Sequence, residues 1–434
     1  MRFHRYIIVA TFILSLAAAI SCSQPEAERS IVKIENGQFI KNGKPYYFVG
    51  TNFWYGPILA SDGEGGDPER LSRELDELQK AGINNLRVLV GSDGKRGVTA
   101  KVEPTLQVEP RVYNDTLLVG LDRFLAELGK RDMEAVLFFN NSWEWTGGYG
   151  QYLEWAGFGK APIPAVDGWQ AYSGFVSNYH KSDEARALFD GYVEDIITRV
   201  NTVTGKPYIE DPAIFCWQIG NEPRPFGEDN FESFAQWIGH AAKVIKSFDP
   251  NHLVCIGTEG LWGCEGDFEL WKRISGYDEI DYLNVHIWPF NWSWIDRTNM
   301  FENIQTAIDN TNEYIDMHLE VAREIKKPLT IEEFGFPRDN FQYALGTPTT
   351  LRDKYYGNVF SRLETSAAAS DQLAGVNFWG WGGLAKPSTE HIYWMVGDDY
   401  TGDPAQEEQG LNSVFASDSS TVALIRSTNL TISK

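Results

Sequence analysis

Two segments of this chain end a hydrophobic run in a carboxylate: Trp217-Gln-Ile-Gly-Asn-Glu-Pro223 and Leu329-Thr-Ile-Glu-Glu-Phe-Gly335. An acid at the C-terminal tip of a buried strand sits where barrel enzymes place their reacting groups. Two such acids, Glu222 and Glu333, are what hydrolysis of a glycosidic bond requires. Glu222 follows Asn221 and precedes Pro223, which stops the strand and holds the turn. Walled by Trp and other apolar side chains, its carboxyl would have a raised pKa and could serve as general acid near neutral pH. The Asn221 amide could donate to a sugar hydroxyl beside the reacting carbon. Taken alone, Asn-Glu-Pro would equally suit a capping Asn beside a solvated Glu. In the second segment Glu332 and Glu333 are neighbours, and successive strand residues face opposite ways, so one of them is expected to reach the barrel axis. The run is apolar on both faces, and parity does not choose between them.

Arg87, in Asn84-Asn-Leu-Arg-Val-Leu89, is a cation inside another strand-like run. A buried Arg needs a carboxylate partner. Beside a nucleophilic Glu it would keep that group ionised, and a structural ion pair elsewhere in the barrel is the alternative. His286 closes a third run in Asn284-Val-His-Ile-Trp-Pro289, level with both acids. Of the 15 Trp, Trp143, Trp145, Trp155, Trp262, Trp288, Trp292, Trp294, Trp379 and Trp381 fall in segments expected to lie above the strands. Aromatic faces suit the C–H face of sugars, and indole N–H groups reach hydroxyls. About half of these rings are expected to pack loops instead. Trp379 is placed as the floor under the reacting sugar, and Trp54 and Asn141 complete the candidate sugar-contacting set. The seven His make no His-x-x-x-His or His-Glu-x-x-His pattern, so no metal and no cofactor is expected. Cys216 reads as a core residue; Cys255 and Cys264 could bridge, without defining a disulfide framework.

The elements that must hold these residues alternate along the chain. Short apolar runs over 47–51, 85–90, 135–139, 214–220, 253–257, 282–286, 329–333 and 376–379 predict eight strands covered on both faces. Amphipathic segments over 68–81, 116–131, 184–203, 231–248, 269–274, 303–325, 351–368 and 417–427 predict the helices between and after them. Pro68 suits a first helical turn and Gly82 a C-terminal cap. Eight such alternations predict an α/β fold of the (β/α)8 barrel type, one catalytic domain over 31–434. Residues 31–46, with Asn36-Gly37 and Asn42-Gly43, predict a short hairpin capping the barrel. The long loops, 140–181, 258–268, 288–298 and 380–412, follow strands and so extend the face where barrel enzymes bind substrate.

The first residues read as a targeting segment. Arg2 and Arg5 precede an apolar stretch from Tyr6 to Ile20, which ends in Ser21-Cys22. That pattern resembles a bacterial lipoprotein signal over 1–21, with Cys22 lipidated and 22–30 a flexible tether. An ordinary secretory signal with an incidental Cys22 is the blander alternative. Export with a lipid anchor in the outer membrane is the expectation, the acyl chains being the only membrane contact. The chain of 434 residues carries 38 Lys and Arg against 60 Asp and Glu, a formal charge of −22. Without a basic run it has no means of neutralising phosphates, so nucleic acid is excluded as a partner, and a strongly acidic substrate is disfavoured. A neutral polyhydroxylated ligand and a monomeric state are expected.

Taken together, Leu86-Arg-Val88, Asn221-Glu-Pro223, His286-Ile-Trp288, Glu333-Phe-Gly335 and Phe378-Trp379 come in the order seen in glycoside hydrolase family 5, and the chain resembles that family over nearly all of 31–434. Phe139-Asn-Asn-Ser-Trp143, Asn221-Glu-Pro-Arg224 and Glu407-Glu-Gln-Gly-Leu-Asn-Ser-Val-Phe415 resemble its bacterial endo-β-1,4-mannanase subfamily. The resemblance implies a retaining mechanism on β-mannan, with Glu222 as acid/base, Glu333 rather than Glu332 as nucleophile, and Arg224 on the aglycone-side sugar. Many members carry a Tyr whose hydroxyl touches the nucleophile where this chain has Trp288. A β-1,4-glucanase, an exo-acting mannosidase and a non-catalytic glycan-binding surface lipoprotein are the rival expectations.

Overall fold

Eight parallel strands form a nearly closed barrel in the computed structural model, which describes residues 29–434. They are β1 (Phe48–Asn52), β2 (Asn85–Leu89), β3 (Glu134–Asn141), β4 (Ile214–Asn221), β5 (Leu253–Cys255), β6 (Leu283–Ile287), β7 (Leu329–Phe334) and β8 (Leu373–Phe378). Their order is β5-β4-β3-β2-β1-β8-β7-β6. Between β5 and β6 side chains take over much of the ladder's work. Asp281 N donates to Val254 O (2.9 Å), and Val254 N donates to Asp281 Oδ2 (2.7 Å). Higher up, Asn284 accepts from Gly257 N (2.9 Å) and donates to Thr258 O (3.0 Å).

Eight helices surround the strands: α1 (Pro68–Lys80), α2 (Asp115–Gly129), α3 (Asp183–Ile197), α4 (Phe231–Phe248), α5 (Phe268–Ser275), α6 (Met300–Ile325), α7 (Thr350–Ala369) and α8 (Ser419–Ile432). Helix α1 begins as its sequence predicts: Asp67 accepts from Arg70 N, Pro68 opens the first turn, and Gly82, just past its end, takes a left-handed φ of +77°. Helix α3 stops six residues short of the expected 203. Asn201 accepts from Val203 N (2.9 Å) and Thr204 N (3.0 Å), which folds the following chain into a turn. The long loop after β3 is not irregular throughout, since it carries helices Gly148–Trp155 and Trp169–Val176.

The segment below the barrel is a three-stranded meander, Lys33–Glu35, Gln38–Lys41 and Lys44–Pro45, rather than a single hairpin. Its turns, Asn36-Gly37 and Asn42-Gly43, hold positive φ at both residues, as a tight turn of matching twist requires. Phe39 enters the barrel floor and meets Phe215 (5.0 Å) and Tyr282 (5.2 Å) edge-on. The expected leader over 1–21, Cys22 and the tether to residue 28 lie outside the described residues. Arg29, placed in the tether by sequence, is held against the barrel through Asp132 (3.0 Å) and Glu134 (2.9 Å). Among the described residues no helix is long and apolar enough to cross a membrane. All three described cysteines are free. Cys255 points down into the barrel, 3.5 Å from Cys216 Sγ, whereas Cys264 sits in the loop above β5, so the bridge considered from sequence does not form.

Candidate active site

The tips of β2, β4, β6 and β7 bring Arg87, Asn221, Glu222, His286 and Glu333 to one buried cluster. Glu222 follows the last residue of β4 with φ +49°, a left-handed conformation that is costly for a non-glycine residue and is held by Glu222 N donating to Gly257 O (2.8 Å). Carboxyl oxygens of Glu222 and Glu333 and a ring nitrogen of His286 all lie within 4.8 Å of one another. His286 Nδ1 is 2.9 Å from Glu222 Oε1 and 3.4 Å from Glu333 Oε2. Three such donors could in principle hold a cation, but the Arg87 guanidinium already occupies one face of Glu333 with positive charge.

Each acid has its own company. Trp143 Nε1 donates to Glu222 Oε2 (2.5 Å). Glu333 accepts from Arg87 Nη1 (2.5 Å) and from Trp288 Nε1 (3.1 Å). The indole N–H of Trp288 thus supplies a donor to Glu333 where the resemblance implied a Tyr hydroxyl. Arg87 also donates to Asn221 Oδ1 (2.8 Å), Asn52 Oδ1 (3.0 Å) and Gln218 Oε1 (2.8 Å), which fixes its plane. Burial pushes both carboxyls up from their ordinary value, and the charge of Glu222 raises Glu333 further. Two like carboxyls this close favour holding a single proton between them. The ion contact with Arg87 puts the negative charge on Glu333 and leaves the proton to Glu222. Burial, aided by Arg87, pushes the His286 pKa well below its usual value, so the ring is neutral beside them.

The two adjacent acids of β7 both reach the barrel interior, contrary to the alternation expected from sequence. Val285 pairs with Ile331 and His286 with Glu333, so Glu332 is an extra residue in a bulge. Its carboxyl is turned to Tyr282 OH (2.7 Å) and to the Gln218 amide. Glu333 is left to face the cleft.

Other expected residues divide into contacts and supports. Trp143, Asn221, Arg224, Trp288 and Trp379 line a cleft of about 580 Å³ above the pair. Arg224 lies over the Trp143 ring (5.3 Å) and is held by Glu259 (2.6 Å). Trp379 packs edge-on against Trp145 and Trp288, and its indole N–H has no partner among the described residues. Trp54 does not reach the cleft: its N–H is taken by Gly402 O (3.0 Å) and its ring is buried against Trp145 and Tyr400, so it supports the loops. Asn141 also lies beneath, accepting from Asn221 Nδ2 (3.2 Å) and Trp143 N (3.0 Å).

Sequence reasoning missed Glu144, Glu259 and Glu407 as lining residues. Glu259 follows β5 by a few residues, and the rule that singled out Glu222 and Glu333, an acid just past a strand, would have found it. Glu407 stood inside a quoted motif with no role attached. Glu144 gave no signal, because the loop helices that bring it inward were not foreseen.

Two carboxyls at this spacing on a (β/α)8 barrel, one beside Arg87 and one between Trp143 and His286, define a glycoside hydrolase. The chain belongs to glycoside hydrolase family 5: the family model described as GH family 5 beta-mannosidase-like matches residues 29–434. Mannan endo-1,4-beta-mannosidase 7 of Arabidopsis thaliana is 30% identical over 363 residues, 80% of this chain and 77% of that protein. The glycoside hydrolase family 5 mannosidase of Rhizomucor miehei is 31% identical, covering 94% of this chain and 98% of its own, with a TM-score of 0.84. The endo-1,4-beta-mannanase of the same fungus shares the fold at 23% identity and a TM-score of 0.68, over 93% of this chain and 99% of its own.

Proposed function

We propose that this protein is a retaining β-mannan hydrolase cleaving internal β-1,4-mannosidic bonds of mannan, glucomannan or galactomannan. The observation that carries the reading is the closeness of Glu222 and Glu333, one carboxyl oxygen of each lying within 4.8 Å of the other, in keeping with the short spacing of a retaining pair. Glu333, ionised beside Arg87, attacks the anomeric carbon. Glu222 gives its proton to the departing glycosidic oxygen. Water then enters, Glu222 takes a proton from it, and the hydroxyl displaces Glu333 from the sugar. Trp379 offers an aromatic face beneath the reacting ring, and Arg224 offers N–H groups to the aglycone sugar.

A second reading, removal of single mannosyl units from a chain end, is favoured by the likeness to the Rhizomucor miehei mannosidase. It is also favoured by Arg297, which reaches Glu408 (2.5 Å) and so links the loops after β6 and β8 above the tip of β7. Digestion of mannohexaose with product analysis separates the two. A ladder of mannobiose and longer products is the endo outcome, and mannose alone from the earliest time is the exo one. A clear preference for carboxymethylcellulose over mannan would overturn the substrate. Export and anchoring through Cys22 form part of the proposal, and loss of detergent-phase partitioning in Cys22→Ala tests them.

A further inference from the structure

A second cavity of about 440 Å³ lies beside the cleft, between the loops after β2 and β3. The two cavities share one residue, Glu144, whose Oε2 is buried with no hydrogen-bond partner among the described residues. We propose that the second cavity receives a neutral hexosyl branch carried by the mannan main chain bound in the cleft. The inference rests on the mannan reading above and names a substrate feature that the catalytic pair does not decide.

The walls suit a pyranose. Val98, Ala161, Pro162 and Ile163 present an apolar side for the C–H face of a sugar ring. Opposite in character are Gln151 and Lys101 on the same lining. Lys101 Nζ donates to Asp93 O (2.9 Å) and to Lys95 O, which leaves one of its three N–H groups for a hydroxyl. Glu144 Oε2 is an unused acceptor at the boundary that a branch leaving the cleft must cross. Lys95, Lys101 and Lys160 face Glu144 and Glu154, a near balance of charge that favours a neutral ligand over a uronate. Glu154 is committed to the architecture, accepting from Ala161 N (2.7 Å) and Gln151 Nε2 (3.1 Å). A volume of this size falls in the range of small-molecule sites.

Filling the cavity tests the proposal. Initial rates are measured on mannopentaose and on mannopentaose bearing one α-1,6-galactosyl branch, for wild type, Ala161→Leu and Ala161→Trp. The branched-to-linear ratio should fall at least fivefold in Ala161→Trp and by a smaller factor in Ala161→Leu, which carries the test if the larger residue prevents folding. A ratio that stays within twofold while the linear substrate is still cleaved overturns the inference, as does a wild type that cleaves only the linear substrate. A wild type that leaves both intact overturns the mannan reading instead.

Discussion

At its lower end the barrel holds Phe39, Phe48, Phe215 and Tyr282 in mutual contact, with ring centroids of Phe39–Phe215 and Phe48–Phe215 at 5.0 and 5.9 Å. At its upper end the same strands hold Arg87, Glu222, His286 and Glu333, all buried and all titratable or charged. The lower end gains stability by removing aromatic surface from water, while the upper end gives some up by burying charge. A barrel can keep two like carboxyls together at one end because the rest of the core outweighs their repulsion. Stability and chemistry are therefore expected to respond separately to substitution at the two ends.

The largest effect should come from the upper end. Glu222→Ala and Glu333→Ala should each lower turnover of mannan by at least about 10³-fold, with the melting temperature held in Glu222→Ala, whose carboxyl carries the proton, and lowered in Glu333→Ala, which leaves Arg87 buried without its carboxylate. Steady-state assays with thermal denaturation decide it, and substantial activity in either variant would sink the assigned roles. Phe39→Ala should do the reverse, costing about 3–5 kcal/mol in denaturant unfolding with kcat/KM unchanged. A loss of kcat/KM without a loss of stability there would erase the contrast between the ends.

Finer tests sharpen it. Trp288→Phe removes one donor from Glu333, so kcat should fall roughly tenfold, the worth of one hydrogen bond to a charged group. Losing that donor makes ionisation harder, so the acidic limb of the pH profile should move upward; a downward shift would contradict the assignment. The smallest effect is expected for Glu332→Gln. Burial raises the Glu332 pKa, so the folded state holds its proton more tightly than the unfolded chain. That contribution is complete below the unfolded value and is lost as pH rises through the folded one. The Gln variant should therefore melt no lower than wild type at pH 8, with its advantage shrinking toward pH 4. A variant less stable at pH 8 would show that Glu332 shares the Arg87 charge instead.

Much of this contrast could be read from sequence. All eight strands lie where apolar runs of five or so residues ended in a turn, because parallel strands buried on both faces need little else. Strand β8 begins three residues before the expected 376 and includes Gly375. It belongs to the strand because a Cβ there would stand 2.3 Å from the Phe48 ring. The catalytic acids were legible as acids at strand ends. Their neighbours were not, because Trp54 and Glu144 are placed by how loops fold over the barrel. Nor could alternation foresee the bulge at Glu332, whose extra residue becomes visible only when β7 is aligned with β6.

The seam between β5 and β6 gives the ring a designated point of give. Elsewhere a continuous ladder of backbone bonds must be broken in concert. Here much of the closure depends on Asp281 and Asn284, whose side chains can let go singly. Breathing motions of the barrel should begin at this gap. Its upper lip carries Gly257, the acceptor that pins the left-handed backbone of Glu222, so the proton donor is tethered to the most yielding edge of an otherwise stiff frame.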